Sequence, residues 1–457
     1  MDDAATTSLG EIDLDVLEQA VRGPNQQFAR RYPGEVAARQ PVHTVYGGAQ
    51  LFRADAAHKL GAVAIRALEE YAPDAATLGR ALGIAGHPAL DTLYARMAAK
   101  LEREPVEDFR IDFEDGYGNR PDAEEDGHAV AVAQALAQGM HDGTLPPFIG
   151  IRIKPLNDDL RGRSVRTLDI VLTSLLRQAG TLPPNFVVTV PKITILEQVD
   201  YAVGVLQRLE TRLGLPTGAL RFEVMVETPQ IVVGADGVSP LPKIPERARG
   251  RLAGAHFGTY DYTAGCNVTA AHQRMRHPAC DFAKHMMQVA FAGTGVWLSD
   301  GSTTVMPVPI HRVATGGPAL TTAQRAENGA SVHQAWRLHF DDVTHSLVGG
   351  FYQGWDLHPA QLVTRYAALY AFFLDGIDAA GLRLNNFVGK AAQATLVGDV
   401  FDDAATGQGL LNFFLRGINS GAITEEEALR RTGLTAEEVR GRSFTRILKN
   451  RTGGAAA

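Results

Sequence analysis

The chain has 457 residues, 45% of them hydrophobic and 21% charged, with a formal net charge of -7. This balance fits a globular protein of one large domain or two to three ordinary ones, and it offers no basic footprint for nucleic acid or for a membrane surface. No apolar run reaches the ~18–20 residues of a membrane span. The acidic start MDDAATTSLGEIDLDVLEQA lacks a signal-peptide pattern and only Cys266 and Cys280 are present, so a cytoplasmic home without a disulfide framework is expected.

In chain order, residues 1–40 read as an N-terminal leader with one helix around Asp13–Val21. From Pro41 onward, β-branched apolar runs alternate with helical patterns. Strands are predicted at 42–50, 109–115, 147–155, 186–194, 220–228, 252–261, 295–301 and 347–354. Between them, Leu60, Val63, Ala64, Ala67 and Leu68 keep helical spacing, as do Val199, Ala202, Val203 and Leu206. Eight strands separated by helices predict an α/β fold, a (β/α)8 TIM barrel over 41–378. The rival doubly wound sheet would show a G-x-G-x-x-G turn after its first strand, and YGGAQ does not match it. Residues 379–457 read as a C-terminal helical appendage, with capping boxes at Thr424-x-x-Glu427 and Thr435-x-x-Glu438.

Side chains alternate along a strand. In 109–115, Phe109, Ile111 and Phe113 oppose Arg110, Asp112 and Glu114; in 147–155, Ile149, Ile151 and Ile153 oppose Gly150, Arg152 and Lys154. In 222–228, Phe222, Val224 and Val226 oppose Glu223, Met225 and Glu227. An open sheet covered on both sides has no place for three charged faces, whereas a barrel interior holds charges that pair with one another. Glu227 therefore has two readings: an interior carboxylate paired with Arg152 or Lys154, or a site residue.

The second reading draws on position. Glu227, Asp261 and Glu114–Asp115 fall at predicted C-terminal strand ends, the face on which barrel enzymes build their sites. Mg2+ takes one or two carboxylates, with waters and substrate completing its shell. Glu227 and Asp261 would supply them, with Mn2+ as the alternative metal. A Gly258-Thr259-Tyr260-Asp261 turn would bring substrate close to the backbone. Arg152 offers a planar fork for a carboxylate or enolate oxygen. Glu114 and Asp115 would hold metal-bound waters or orient Arg152. Metal and Arg together suit the enolate of a pyruvate- or acetate-like fragment.

The ordered motifs resemble the citrate lyase β-subunit / malyl-CoA lyase branch of the HpcH/HpaI aldolases, among the phosphoenolpyruvate/pyruvate-binding barrels. D-L-E-D-A is similar to Asp112-Phe113-Glu114-Asp115-Gly116, V-R-V-N to Ile151-Arg152-Ile153-Lys154, and P-K to Pro191-Lys192. E-T is similar to Glu227-Thr228, G-x-x-D-L to the Gly258–Tyr262 run, and W-x-I-H-P-x-Q to Trp355–Gln361. The resemblance implies a barrel that assembles as a trimer or hexamer, Mg2+ on Glu227 and Asp261, and Arg152 on a keto acid or its enolate. Aldol-type carbon–carbon cleavage or formation is the implied chemistry, on a small carboxylic acid or an acyl thioester. Lys154 replaces the family's Asn, Pro229-Gln230 follows the E-T pair, and the loops 116–128 and 238–251 are long. These departures leave use of a CoA-linked substrate open, and the general acid/base is not identified. Two alternatives stand beside the lyase: thioester hydrolysis or transfer at the same enolate site, and a non-catalytic barrel that binds a small acid or a protein partner.

Other residues are read as structural. Lys192 forms an ion pair rather than a Schiff base, Cys266 is a buried packing thiol, and His256, His272, His277 and His285 match no metal motif. Asp300 either reaches the site or caps the next helix.

Overall fold

The computed structural model describes residues 8, 11–35, 38–313, 315–389, 395–397, 400–402 and 404–451. Eight parallel strands, β1 (His43–Gly48), β2 (Asp108–Asp112), β3 (Phe148–Arg152), β4 (Phe186–Val190), β5 (Arg221–Val226), β6 (Leu252–Phe257), β7 (Trp297–Ser299) and β8 (Gly354–Asp356), alternate with helices. They pair in the order β7-β6-β5-β4-β3-β2-β1-β8. The ring closes between β7 and β8, where the Trp355 N–H donates to Gly301 O at 3.0 Å and the Asp300 N–H to Gln353 O at 2.9 Å. This is the predicted (β/α)8 TIM barrel.

The last strand corrects the prediction. Residues 347–348 finish the helix Thr322–Val348, and β8 begins only at Gly354. Gly349-Gly350, the second of them at φ 81, stops the helix; a glycine pair between apolar residues had the look of a strand. The boundary expected at 378 lies inside the helix Gln361–Gly389, which runs unbroken across it. The leader helix spans Glu11–Arg31, longer than expected, with Pro24 inside it.

Alternation works as the sequence requires. Phe109, Ile111, Ile149, Ile151, Phe222 and Val224 join the apolar shell between sheet and helices. Arg110 turns inward, 1% exposed, and donates to Asp108 Oδ2 at 2.8 Å and Glu223 Oε1 at 2.9 Å. Thr44 Oγ1 donates to Asp108 at 2.8 Å, Thr189 Oγ1 to Glu223 at 2.5 Å, and His256 Nε2 lies 3.0 Å from Glu223. Gly150 makes room for this layer: a Cβ there would strike the Val187 carbonyl and stand 3.0 Å from Arg110 Nη1.

The tail closes the other end of the barrel, where strands begin. Helices Ala404–Ser420, Glu425–Thr432, Ala436–Gly441 and Phe444–Arg451 follow the Gln361–Gly389 helix, and both predicted capping boxes are formed. Asn419 bonds both backbone groups of Gln40, accepting from N–H at 3.0 Å and donating to O at 2.7 Å. Phe444 stacks on Phe387 with ring centroids 5.2 Å apart. Arg96 donates to Glu427 Oε1 at 2.5 Å.

Burial alone would raise the Glu427 carboxyl, but hydrogen bonds from Arg96 and the Thr424 N–H outweigh it and hold it at about 2, below the usual 4.5. A carboxyl depressed in the fold contributes stability above its unfolded pKa and loses it as pH falls through the folded value. Glu427→Gln is therefore expected to lower the thermal midpoint at neutral pH, with the gap to wild type closing as pH drops from 4.5 toward 2. Unfolding scans across that window check it; a constant gap would show that Glu427 does not carry the effect.

Candidate active site

The next interior layer lies where the strands end. Arg152, last residue of β3, sits beside Asp112, last residue of β2, because the two are register partners. Its Nε donates to Asp112 Oδ1 at 2.7 Å and its Nη2 to Asp112 Oδ2 at 2.5 Å. Nη1 lies 3.2 Å from Glu114 Oε2. The guanidinium stands 4.7 Å from the Tyr46 ring centroid and 5.9 Å from that of Trp355. A cation this well braced loses little freedom when it meets an anion.

Lys192 holds the centre. It has a left-handed backbone, φ 50, which aims its N–H at Glu227 Oε1, 2.7 Å away. Its ammonium bonds Glu114 Oε1, lies 2.9 Å from Asp115 Oδ2 and reaches within 3.5 Å of Asp261 Oδ2. Burial alone would lower its pKa, but Glu114 and Asp115 outweigh burial and raise it, so the group stays protonated and suits an ion pair, not a Schiff base. Fully ionised, Asp112, Glu114, Asp115, Glu227 and Asp261 exceed the two cations by three negative charges. The excess shows at Glu227. Burial first, then the Asp261 charge, pushes its carboxyl up from 4.5 to about 8. Burial likewise raises Glu114 against the pull of Arg152 and Lys192. Asp115 goes the other way: hydrogen bonds from Lys192 and the Asp115–Glu114 contact overcome burial and lower it.

Glu114, Asp115, Arg152, Glu227 and Asp261 are thus brought to one end of the barrel. The Gly258–Asp261 run is not a turn: Thr259–Gly265 is a short helix, and Asp261 stands in its first turn with its side chain 41% exposed. Gly258 packs directly on Glu227, whose Cβ would be 2.5 Å from a methyl placed there. Thr259 is buried under Gly301. The Tyr260 hydroxyl donates to Ser302 O at 3.0 Å and accepts from the Thr304 N–H at 3.2 Å, which fastens the segment after β7.

Several expectations need correcting. Glu227 has no ion pair with Arg152 or Lys154; Lys154 pairs with Glu125 at 2.9 Å and donates to Phe113 O at 2.7 Å. Asp300 neither reaches the cluster nor caps a helix, since Lys284 Nζ and Ser346 Oγ take it at 2.9 and 2.6 Å. Cys266 is exposed, because the short helix ends there; Cys280 is the buried thiol. His256 belongs to the interior layer, and His277 caps the helix Pro278–Phe291. Asp112 joins the site beyond the residues expected at strand ends. The shared face of Asp112 and Arg152 on neighbouring strands was the available signal.

A cavity of about 540 Å³ opens at the opposite end, between Phe148, Leu182, Pro183 and Trp297, with Asp108, Arg110, Glu223 and His256 as its floor. Those floor groups satisfy one another, so this cavity carries less unmet chemistry than the cluster above.

Fold and cluster together define a (β/α)8 barrel with a carboxylate-rich, Arg-braced centre at the C-terminal ends of its strands. The chain belongs to the DUF6986 family, described as a domain of unknown function, which it matches over residues 21–447. Among curated proteins, none matches it. Of solved structures, a citrate lyase from Burkholderia xenovorans LB400 is similar at 18% identity, over 87% of this chain and 100% of that one, with a TM-score of 0.53. A malate synthase from Haloferax volcanii aligns at 14% identity over 88% and 97%, with a TM-score of 0.47. The citrate lyase likeness is one of fold.

Gly258→Ala is expected to destabilise the protein by about 1–3 kcal/mol, the usual cost of overpacking. The methyl group must displace the Glu227 side chain. Denaturant unfolding checks this; an unchanged midpoint would mean that the two segments separate freely.

Proposed function

We propose that this protein is a divalent-cation-dependent carbon–carbon lyase or aldolase, acting through the enolate of a small keto acid or acyl thioester. The resemblance to the HpcH/HpaI aldolases suggests the chemistry. The observation that carries it is the gathering of Glu114, Asp115 and Asp261 around one ammonium, with Glu227 on the same residue's N–H and Arg152 alongside.

The donor set fits a hard cation. Glu227 and Asp261 offer only oxygens, and their repulsion is what a cation would relieve. Among the described residues no three His, Cys, Asp or Glu side chains form a ready-made cage, so two carboxylates with waters or substrate oxygens are the set proposed for Mg2+ or Mn2+. Bound there, the metal would supply Lewis acidity toward a carbonyl or carboxylate oxygen. Arg152, locked by Asp112 and lying against the Tyr46 ring, presents its remaining N–H groups to a substrate carboxylate or enolate oxygen. Glu114 braces Arg152 and Lys192 together, while Trp355 and Tyr46 shield the layer beneath from water. We propose a cytoplasmic setting and a homo-oligomer; among the described residues no helix is long and apolar enough to cross a membrane.

Lys192 favours a second reading. Its ammonium already supplies positive charge to three carboxylates, which suits a barrel that binds a small acid without metal.

Exchange of the pyruvate methyl protons in D2O, followed by NMR, tests the first reading. Exchange is expected only with Mg2+ and to fall about 100-fold or more in Glu227→Gln, the scale of losing a transition-state charge contact. Metal-independent exchange, or full exchange in the variant, would overturn it; acetyl thioesters are the next carbon acids to try. Lys192→Met removes the competing ammonium and is expected to tighten Mg2+ binding about tenfold, roughly 1.4 kcal/mol, by calorimetry. Absence of binding in both proteins would leave the metal-free reading.

A further inference from the structure

Among the described residues, none covers the helix Glu11–Arg31 as such a helix needs. Every side chain described from Leu14 to Arg31 is exposed. Its end is tethered: Arg31 donates to Pro242 O at 3.2 Å, and the Gly34 N–H to Gly293 O at 2.8 Å. A helix of this length alone in water is marginal, and most helical stability comes from burying an apolar stripe. This one also contains Gly23-Pro24, among the residues least suited to a helix interior.

The stripe exists. Leu14, Leu17, Val21 and Phe28 follow one another at intervals of three, four and seven residues, the heptad rhythm of helix–helix seams, and are 43%, 60%, 52% and 65% exposed. Val16 lies off this seam. The charges are sorted as well. Acids occupy positions 11, 13, 15 and 18, and bases occupy 22, 30 and 31. The helix dipole explains such sorting only within the first and last turns. Asp15, Glu18 and Arg22 lie beyond them. A parallel pair would set acids against acids. An antiparallel pair centred on Val21 sets the acidic half against the basic half, places Leu14 opposite Phe28, and puts Val21 against its own copy.

We propose that this helix is an interface for a second copy of this chain, paired antiparallel about a twofold axis through Val21. The same surface serves both partners, as an isologous contact requires. The pairing is independent of the chemistry at the far end of the barrel.

The test uses the full chain carrying Cys266→Ser, which removes the exposed thiol. Under mild oxidation, Val21→Cys is expected to cross-link to itself, and a mixture of Leu14→Cys and Phe28→Cys to give the mixed dimer. Self-linking of Leu14→Cys and of Phe28→Cys, without the mixed product, would overturn the antiparallel arrangement. Leu17→Asp with Val21→Asp is expected to halve the mass measured by light scattering while leaving the circular dichroism of the barrel unchanged. A wild-type monomer, or an oligomer of undiminished mass in that variant, would overturn the interface altogether.

Discussion

Arg110 sets the terms for the barrel. A guanidinium 1% exposed inside a closed sheet must find carboxylates there, and it finds Asp108 on its own strand and Glu223 on β5. Breaking such a pair by removing one member typically costs about 3–5 kcal/mol. The pairing also fixes register. A slip of one residue in β2 would turn Arg110 into the apolar shell and Ile111 into the charged layer. Because Arg110 is held, Asp112, two residues further on, must also face inward, and the β2–β3 register delivers it to Arg152.

The two charged layers differ in balance. In the middle one every polar atom of Arg110, Asp108 and Glu223 has a partner within the barrel. In the upper one carboxylates outnumber cations, and the backbone carries strain as well. A non-glycine residue at positive φ is disfavoured by about 1–2 kcal/mol. Lys192 accepts that conformation at φ 50 because it satisfies Glu227 with its N–H and Glu114 and Asp115 with its ammonium. Stored strain and unbalanced charge in one place make the upper layer the candidate site, whereas the layer below is saturated.

Much of this was legible from period-two alternation. It placed Arg110, Asp112, Arg152 and Glu223 inside without any knowledge of contacts, and position at the predicted C-terminal strand ends put Glu114, Asp115, Glu227 and Asp261 together. What stayed hidden depends on register or on residues distant in sequence. Arg152 takes Asp112 because of strand pairing, which no single strand displays. Asp300 is claimed by Lys284 and Ser346 from two helices behind β7. The run at 347–354 holds a helix end and a glycine stop, and apolar content alone does not separate these from a short strand. At 378 the composition changes while the helix continues, since a buried helix needs no break where its neighbours change from barrel to tail.

The two ends of the barrel differ in how far their charges are met. Where the strands begin, Gln40, Asn419 and Arg416 knit leader, barrel and tail together with neutral and charge-assisted bonds. The cavity beside them is spacious, but its floor is already satisfied, so a ligand entering it would gain apolar contact and little orientation. Where the strands finish, charge is left over. A buried carboxylate facing another carboxylate must take up a proton, borrow an ammonium or bind a cation; here the Glu227 carboxyl is shifted toward the first, and Lys192 supplies the second. Each is a weaker neutraliser than a divalent ion: the proton removes one charge from one oxygen, and the ammonium already divides its charge among Glu114, Asp115 and Asp261. Unmet charge, rather than cavity volume, is therefore what singles out this end of the barrel as the candidate site.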